Sequence, residues 1–328
     1  MPGSKRALVT GGTGTVGRAV ARRLIDAGWD VAILTRQRQP APIAGAAFCT
    51  GDLGDAASLR AAVSARDLVV HCALSATGVD IRAAGQLTDS AIDAGVRRFI
   101  HISTMSVYPV VPSGTIDESC GYVAANSRDI YAVTKSHIER AVLSRADRLH
   151  IGVLQPANVV SPDTGWWSAG VVQLMRQGRF ILVNGGTGIA NLVHVDDVAA
   201  SVELAASADY ASGSRFLIAD GHPIPWAPYL RHLESLAGGN ALKEMTADEA
   251  KRYSRDAISA SAPARVMRRL ARALTRDKPV LPMDDIAIDR FASTAVVSIE
   301  HARRVLVFSP AKTRWPAAMP AASPPTMP

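Results

Sequence analysis

Three cysteines, Cys49, Cys72 and Cys120, are all that the 328 residues hold, and no two stand in a C-x-x-C spacing. An odd, scattered trio excludes a disulfide framework and a thiolate metal cage. Free thiols in a reducing compartment are expected, those of Cys49 and Cys72 buried in apolar runs. The eight histidines offer no H-E-x-x-H or H-x-H partner, so no metal site is expected either. Aromatic residues make up only 5% and do not interleave with basic clusters, which argues against a nucleic-acid partner. No run approaches the roughly 18 apolar residues of a membrane-spanning helix. The first apolar stretch, ALVTGG, is too short for a signal peptide and runs into glycines, so a cytoplasmic location is expected. The net charge of +7 is too diffuse for a polyanionic partner, yet compatible with a small phosphorylated ligand.

What is present is a regular alternation. The apolar runs RALVT, DVAIL, AAFCTGD, DLVVHCA, RFIHIST and HIGVLQP are separated by helical stretches such as TVGRAVARRLIDAG and DIRAAGQLTDSAIDAG. Short apolar strands joined by helices of this length imply parallel pairing with crossovers, an α/β doubly wound (Rossmann) sheet. Residues 1–160 are read as a nucleotide-binding domain, with strand and helix returns near 190–220. Residues 161–315 are read as mainly a smaller, mostly helical substrate-binding lobe, the stretch from Trp226 to about Leu274 being helical. The Pro/Ala-rich tail 316–328 is read as disordered. The segment 263–276 places arginines on one side and Val266, Leu270 and Leu274 on the other, a solvated face over a packed one.

After RALVT comes Thr10-Gly11-Gly12-Thr13-Gly14-Thr15-Val16-Gly17, then an amphipathic helix. Strand, glycine loop and helix in that order form the dinucleotide-binding fingerprint. Gly11 permits the tight turn, Gly14 the approach of a pyrophosphate, and Gly17 close packing of the helix, whose N-terminus favours the anion. At the end of DVAIL, where an acidic residue would hold a ribose 2′-hydroxyl, stand Thr35, Arg36 and Arg38. A hydroxyl and two guanidinium groups suit a 2′-phosphate, so NADP(H) is favoured, with NAD(H) as the alternative. Asp52 and Leu53 follow the third strand, where a carboxylate can meet an adenine amino group or simply close a loop.

Tyr131 and Lys135 lie four residues apart in the helical stretch DIYAVTKSHIERAV, on one face about a turn apart. A nearby ammonium favours phenolate, so the Tyr131 pKa is expected to fall from its ordinary value of about 10. Such a phenol can exchange a proton with a substrate oxygen.

Taken together, TGGTGTVG at 10–17, GDL at 51–53, HCA at 71–73, HISTMSVYP at 101–109 and YAVTK at 131–135 resemble the extended short-chain dehydrogenase/reductase family, in its NAD(P)-dependent epimerase/dehydratase branch. QPANVVSP at 155–162, LVHVDDVA at 192–199 and ARRVLVFSP at 302–310 continue the match in order. The resemblance implies Tyr131 as acid/base, Lys135 on the nicotinamide ribose, and Thr104 donating to the substrate oxygen. It also implies cofactor contacts at Cys72 and Ala73 and at Pro156, Ala157, Asn158 and Val159. His194 would be chiefly structural. Related enzymes pair two long helices, here near 80–95 and 128–146, so a homodimer is expected by resemblance.

The departures select among reactions. Met105 and Ser106 stand where dehydratases that resemble this chain carry an acidic pair. Ile189-Ala190-Asn191 lacks the arginine that meets the diphosphate in sugar-nucleotide epimerases, and Gln155 replaces an arginine common before the proline. Asn158 does match an asparagine that contacts nucleotide in some epimerases. The C-terminal lobe resembles reductase and 3β-hydroxysteroid-dehydrogenase-like members. The expectation is therefore an NADP(H)-preferring oxidoreductase acting on a ketone or secondary alcohol as its small-molecule substrate. An NAD-dependent sugar-nucleotide epimerase and a catalytically silent cofactor-binding sensor are the alternatives.

Overall fold

The computed structural model describes residues 5–38, 40–73, 80–162, 164–177, 180–239, 242–259 and 283–311. The readings for 263–276 and for the tail 316–328 lie outside the described residues. Seven parallel strands form the main sheet: β1 (Arg6–Thr10), β2 (Asp30–Thr35), β3 (Ala46–Thr50), β4 (Leu68–His71), β5 (Arg98–Ile102), then His150–Pro156 and Ser214–Ile218. Their spatial order is β3-β2-β1-β4-β5, followed by His150–Pro156 and Ser214–Ile218. The order reverses between β1 and β4, and a crevice opens at such a switch point outside the strands' C-terminal ends. The glycine loop, Thr35, Cys72, Ala73, Thr104 and Pro156 lie at those ends or in the loops that leave them, while Tyr131 and Lys135 come from the helix Ile130–Leu143.

Every residue of β4 is buried, as are Ala7 to Thr10 of β1 and Val31 to Thr35 of β2, which is why these strands read as continuous apolar runs. One face packs under α1 (Thr15–Asp26) and the helix Val195–Ser207, through Val20, Leu24, Val198 and Val202. The other face packs under α2 (Ala56–Val63), α3 (Asp80–Asp93) and α4 (Ile130–Leu143), through Leu59, Leu87, Ile138 and Val142. A separate apolar core gathers residues from 160–192, 224–250 and 283–292, where Trp226, Tyr229 and Leu230 join Phe180, Met175 and Phe291.

One stretch departs from expectation. Within the region read as helical, Leu242–Met245 is a strand paired in parallel with Phe180–Val183. The preceding helix, Trp226–Ala237, ends where Gly238 and Gly239 take left-handed φ of 108° and 79°, and the chain then has an open strand edge to join. Cys49 and Cys72 are half-buried rather than buried. Among the described residues no helix is long and apolar enough to cross a membrane.

Gly17 illustrates how tightly the first turn of α1 sits on the loop before it. A Cβ there would lie 2.2 Å from the Gly11 carbonyl oxygen, and backbone cannot move aside cheaply. Gly17→Ala is expected to destabilise the fold by about 2 kcal/mol or more, a fall in Tm of roughly 3 °C or more for a chain of this size. Gly121→Ala, with nothing within 4 Å of the added methyl, is the control and should leave the melting curve unchanged.

Candidate active site

The loop after β1 is built as a cradle. Gly11 takes φ of 69°, and a Cβ on it would meet the Ala73 amide nitrogen at 2.7 Å, so Cys72 and Ala73 pack directly on the glycine turn. The Gly14 amide donates to the Gly11 carbonyl at 3.0 Å, and Gly14 N-caps α1 without a side-chain cap bond or an acid in the first turn. The first-turn amides of Thr15, Val16 and Gly17 are thus left for an anion. A Cβ on Gly14 would touch only the Gly11 oxygen, at 3.4 Å, so its outer side is open to a ligand. Gly12, by contrast, packs on Ile33, and Val16 leans on the apolar core. Thr13 and Thr15 border a cleft of about 850 Å³ into which Arg18 and Arg22 also face, and Thr15 Oγ1 donates to Thr164 Oγ1 at 3.1 Å.

At the end of β2, Thr35 is buried and its Oγ1 accepts the Gln37 amide at 3.1 Å, while Arg36 and Arg38 are exposed. Asp52 is exposed and its Oδ1 accepts the Gly54 amide at 2.7 Å, closing the loop; Leu53 turns inward onto the core. Pro156 ends its strand, the Ala157 amide donates to Ile218 O at 2.9 Å, and the Asn158 amide donates to Asn191 O at 2.9 Å. Val159 then pairs with Val193 in a small second sheet. His194 caps the helix Val195–Ser207 through Nδ1, which accepts the Asp196 amide at 3.2 Å, the structural role expected of it.

Tyr131, Lys135 and Thr104 converge where α4 crosses the end of β5. Lys135 is only 4% exposed, and its Nζ donates to the Ile102 carbonyl at 2.9 Å. Thr104 is buried, its Oγ1 accepts the Ser106 amide at 3.2 Å, and its hydroxyl hydrogen-bonds the Tyr131 hydroxyl. The Tyr131 ring is 47% exposed, so this group stands at the mouth, with its hydroxyl end against buried Thr104.

The direction of the Tyr131 shift corrects the expectation from spacing. Its pKa is raised, first by desolvation; the Thr104 hydrogen bond and the Arg290 guanidinium oppose this, and Asp129 adds to it. The Lys135 ammonium instead acts on groups deeper in the crevice. Burial, aided by Lys135, drives His71 down to about 3 and His101 well below its ordinary range, so both imidazoles are neutral. Burial pushes the Cys72 thiol up to about 12, with the Lys135 ammonium opposing the shift.

Arg290 was not legible in the sequence. It comes from the helix Asp285–Ala292 and pairs with Asp129, whose other oxygen caps α4 by accepting the Ala132 amide at 3.0 Å. Nothing in the spacing of residues 129 and 290 signals that pairing. Arg290 also lines a cavity of about 60 Å³ beside Met105 and Ser106, walled by Val110, Ile116, Trp167 and Trp226. The two spaces differ in scale. The larger cleft runs from the glycine loop along α1 to the helix Val195–Ser207, and the smaller cavity lies beside Met105 and Ser106.

These fields give a pH dependence with a definite sign. With Tyr131 as the acid of a reduction, the working form would be the protonated one, and activity would hold through neutral pH and fall only as pH rises through the raised pKa. Arg290→Met removes a charge that lowers this pKa and should move the alkaline limb of the kcat profile to higher pH. Asp129→Asn keeps a capping oxygen but removes a charge that raises it, and should move the limb to lower pH. A pH–rate series on both variants checks the pair of opposite shifts.

The comparisons with known proteins agree with this geometry. The family pattern described as "NAD dependent epimerase/dehydratase family" matches residues 7–219. The 2-alkyl-3-oxoalkanoate reductase of Stenotrophomonas maltophilia (strain K279a) is 28% identical over 256 residues, 70% of this chain and 75% of that protein. The UDP-glucose 4-epimerase of Vibrio cholerae is 26% identical over 250 residues, 70% of this chain and 75% of that protein. Among solved structures, MoeE5 in complex with UDP-glucuronic acid and NAD superposes with a TM-score of 0.68 at 20% identity, over 94% of both chains, a likeness of fold. With an ordered set of motifs, a sheet of the right topology and a match over more than half its length, the chain belongs to the NAD-dependent epimerase/dehydratase family and is an NAD(P)-dependent enzyme.

Proposed function

We propose that the chain is an NADP(H)-preferring oxidoreductase interconverting an apolar ketone and its secondary alcohol, with Tyr131 as acid/base. The observation that carries this reading is the cavity beside Met105 and Ser106. Its walls are largely aliphatic and aromatic, and much of its polar lining is already engaged. Asn158 Nδ2 donates to Ala190 O, Asn191 bonds Ala295 O and the Val297 amide, Ser293 bonds Val111 O, and Arg290 pairs with Asp129. A sugar diphosphate needs free cations and donors, and a site that has spent its own favours an apolar ligand. The reductase from Stenotrophomonas maltophilia is named for a 3-oxoalkanoate, which supports a ketone as the reacting group.

The glycine cradle fits a dinucleotide: Gly14 is open on its outer side and the α1 amides are unclaimed by a cap. Bound there, the nicotinamide supplies or accepts the hydride. Gly11 to Gly17 would hold the pyrophosphate, Lys135 the nicotinamide ribose, and Arg36 and Arg38 the 2′-phosphate. Thr104 donates a hydrogen bond to the substrate oxygen, stabilising charge as it develops. Tyr131 gives that oxygen its proton in reduction and takes it back in oxidation. Met105 and Ser106 hold no carboxyl group, so this wall supplies no acid or base for eliminating water.

Tyr131→Phe should lower kcat by about 100-fold or more while NADPH affinity, followed by fluorescence, stays unchanged; full turnover would sink the assignment. Replacing Arg36 and Arg38 by Ala should weaken NADPH and leave NADH as it was. The epimerase reading is kept in play by the Vibrio cholerae relative, which is nearly as similar as the reductase. Purified protein that carries bound NAD(H) and shows no net cofactor consumption would decide for it.

A further inference from the structure

Glu139 lies one turn beyond Lys135 and two beyond Tyr131 on the same face of α4, and it is fully buried. Its carboxylate gathers three neutral side chains. Ser103 Oγ donates to Oε2, the Tyr122 hydroxyl donates to Oε1 at 2.8 Å, and Gln155 Nε2 lies 2.9 and 3.1 Å from the two oxygens. Each partner belongs to a segment that reaches the crevice. Ser103 immediately precedes Thr104, and its amide is itself fixed on Leu154 O at 2.7 Å. Gln155 immediately precedes Pro156, and its Oε1 accepts the Tyr108 hydroxyl at 2.9 Å. Arg215 sits over the Tyr108 and Tyr122 rings, at 6.0 and 5.3 Å, on the outer side of the cluster. From residue 155 the carboxylate thus receives a neutral amide.

We propose that Glu139 is a positioning residue for proton transfer: through Ser103 it holds the Thr104 hydroxyl in register with Tyr131 on α4. A buried carboxylate must have its lone pairs met by donors, and the donors it captures join the helix bearing Tyr131 and Lys135 to the strand end bearing Thr104. Loss of the Ser103 link removes no group that touches substrate, yet frees the segment carrying Thr104. Small displacements of a reacting pair are enough to lower a rate by one to two powers of ten. The proposal rests on the reading of Tyr131 as the acid/base.

Ser103→Ala and Glu139→Gln test it, with three readouts: kcat, NADPH dissociation constant, and ionisation of Tyr131 followed as the difference in tyrosinate absorbance from the matching Tyr131→Phe protein. Ser103→Ala changes no charge. It should lower kcat about tenfold, hold the NADPH dissociation constant within about twofold, and move Tyr131 ionisation to higher pH as the Thr104 bond weakens. Glu139→Gln keeps the size and a hydrogen-bonding oxygen, and should stay within about threefold of the parent. Wild-type kcat and titration in Ser103→Ala would overturn the proposal. So would a Glu139→Gln protein as impaired as Ser103→Ala, since the charge and not the register would then be at work. A loss of NADPH affinity parallel to kcat would make the cluster a general packing element and overturn it too. If Glu139→Gln does not fold, Ser103→Ala decides alone. If the parent reduces no ketone, the substrate assignment fails, and the titration still reads the positioning role.

Discussion

The bond from the Lys135 ammonium to the Ile102 carbonyl is the constraint on which the site depends. An ammonium this deeply buried has to be satisfied by oxygen, and the carbonyl at the end of β5 meets that need. The bond sets where α4 lies along the sheet, and with it where a residue one turn earlier emerges. Tyr131 can therefore be half open to solvent at the mouth while Lys135 is enclosed, although both stand on one helix face. Neutral His71 and His101 at the ends of neighbouring strands add no competing positive charge.

The proton affinity of Tyr131 is then set from two directions. Desolvation against the strand ends raises it, and a cation delivered by the other lobe lowers it. Arg290 reaches the tyrosine from the helix Asp285–Ala292 that walls the smaller cavity, and Asp129 ties that guanidinium to the cap of α4. The C-terminal segment and the helix bearing Tyr131 share one ion pair, so the packing of that segment bears on the proton affinity of the tyrosine.

Much of the fold was legible because its signals are local. The strands of the sheet read as buried apolar runs, the glycine loop falls between β1 and α1, and the Tyr131–Lys135 face follows from helical spacing alone. The short strand Leu242–Met245 was missed because only its two end residues are apolar and its pairing depends on an edge 60 residues away. Arg290 and Arg215 were missed for a related reason. Each meets its partners across the fold, at residues 129 and 108 to 122, and a lone arginine carries no periodic signal. The sign of the Tyr131 shift was also beyond sequence, since spacing reports that a lysine is near and not where its ammonium points.

The stretch between residues 160 and 192 leaves the sheet and returns almost to its starting point. Asn158–Val160 and Leu192–His194 run side by side, and the amide of residue 158 is bonded to the carbonyl of residue 191. An excursion whose two feet are clasped in this way transmits little of its own length to the framework, because the entropy of closing a loop grows only slowly with its size. Residues such as Trp167 that wall the cavity sit within that excursion. The architecture therefore separates two rates of change: a sheet end held in register by buried polar bonds, and a cavity wall that can be lengthened or rebuilt without disturbing it.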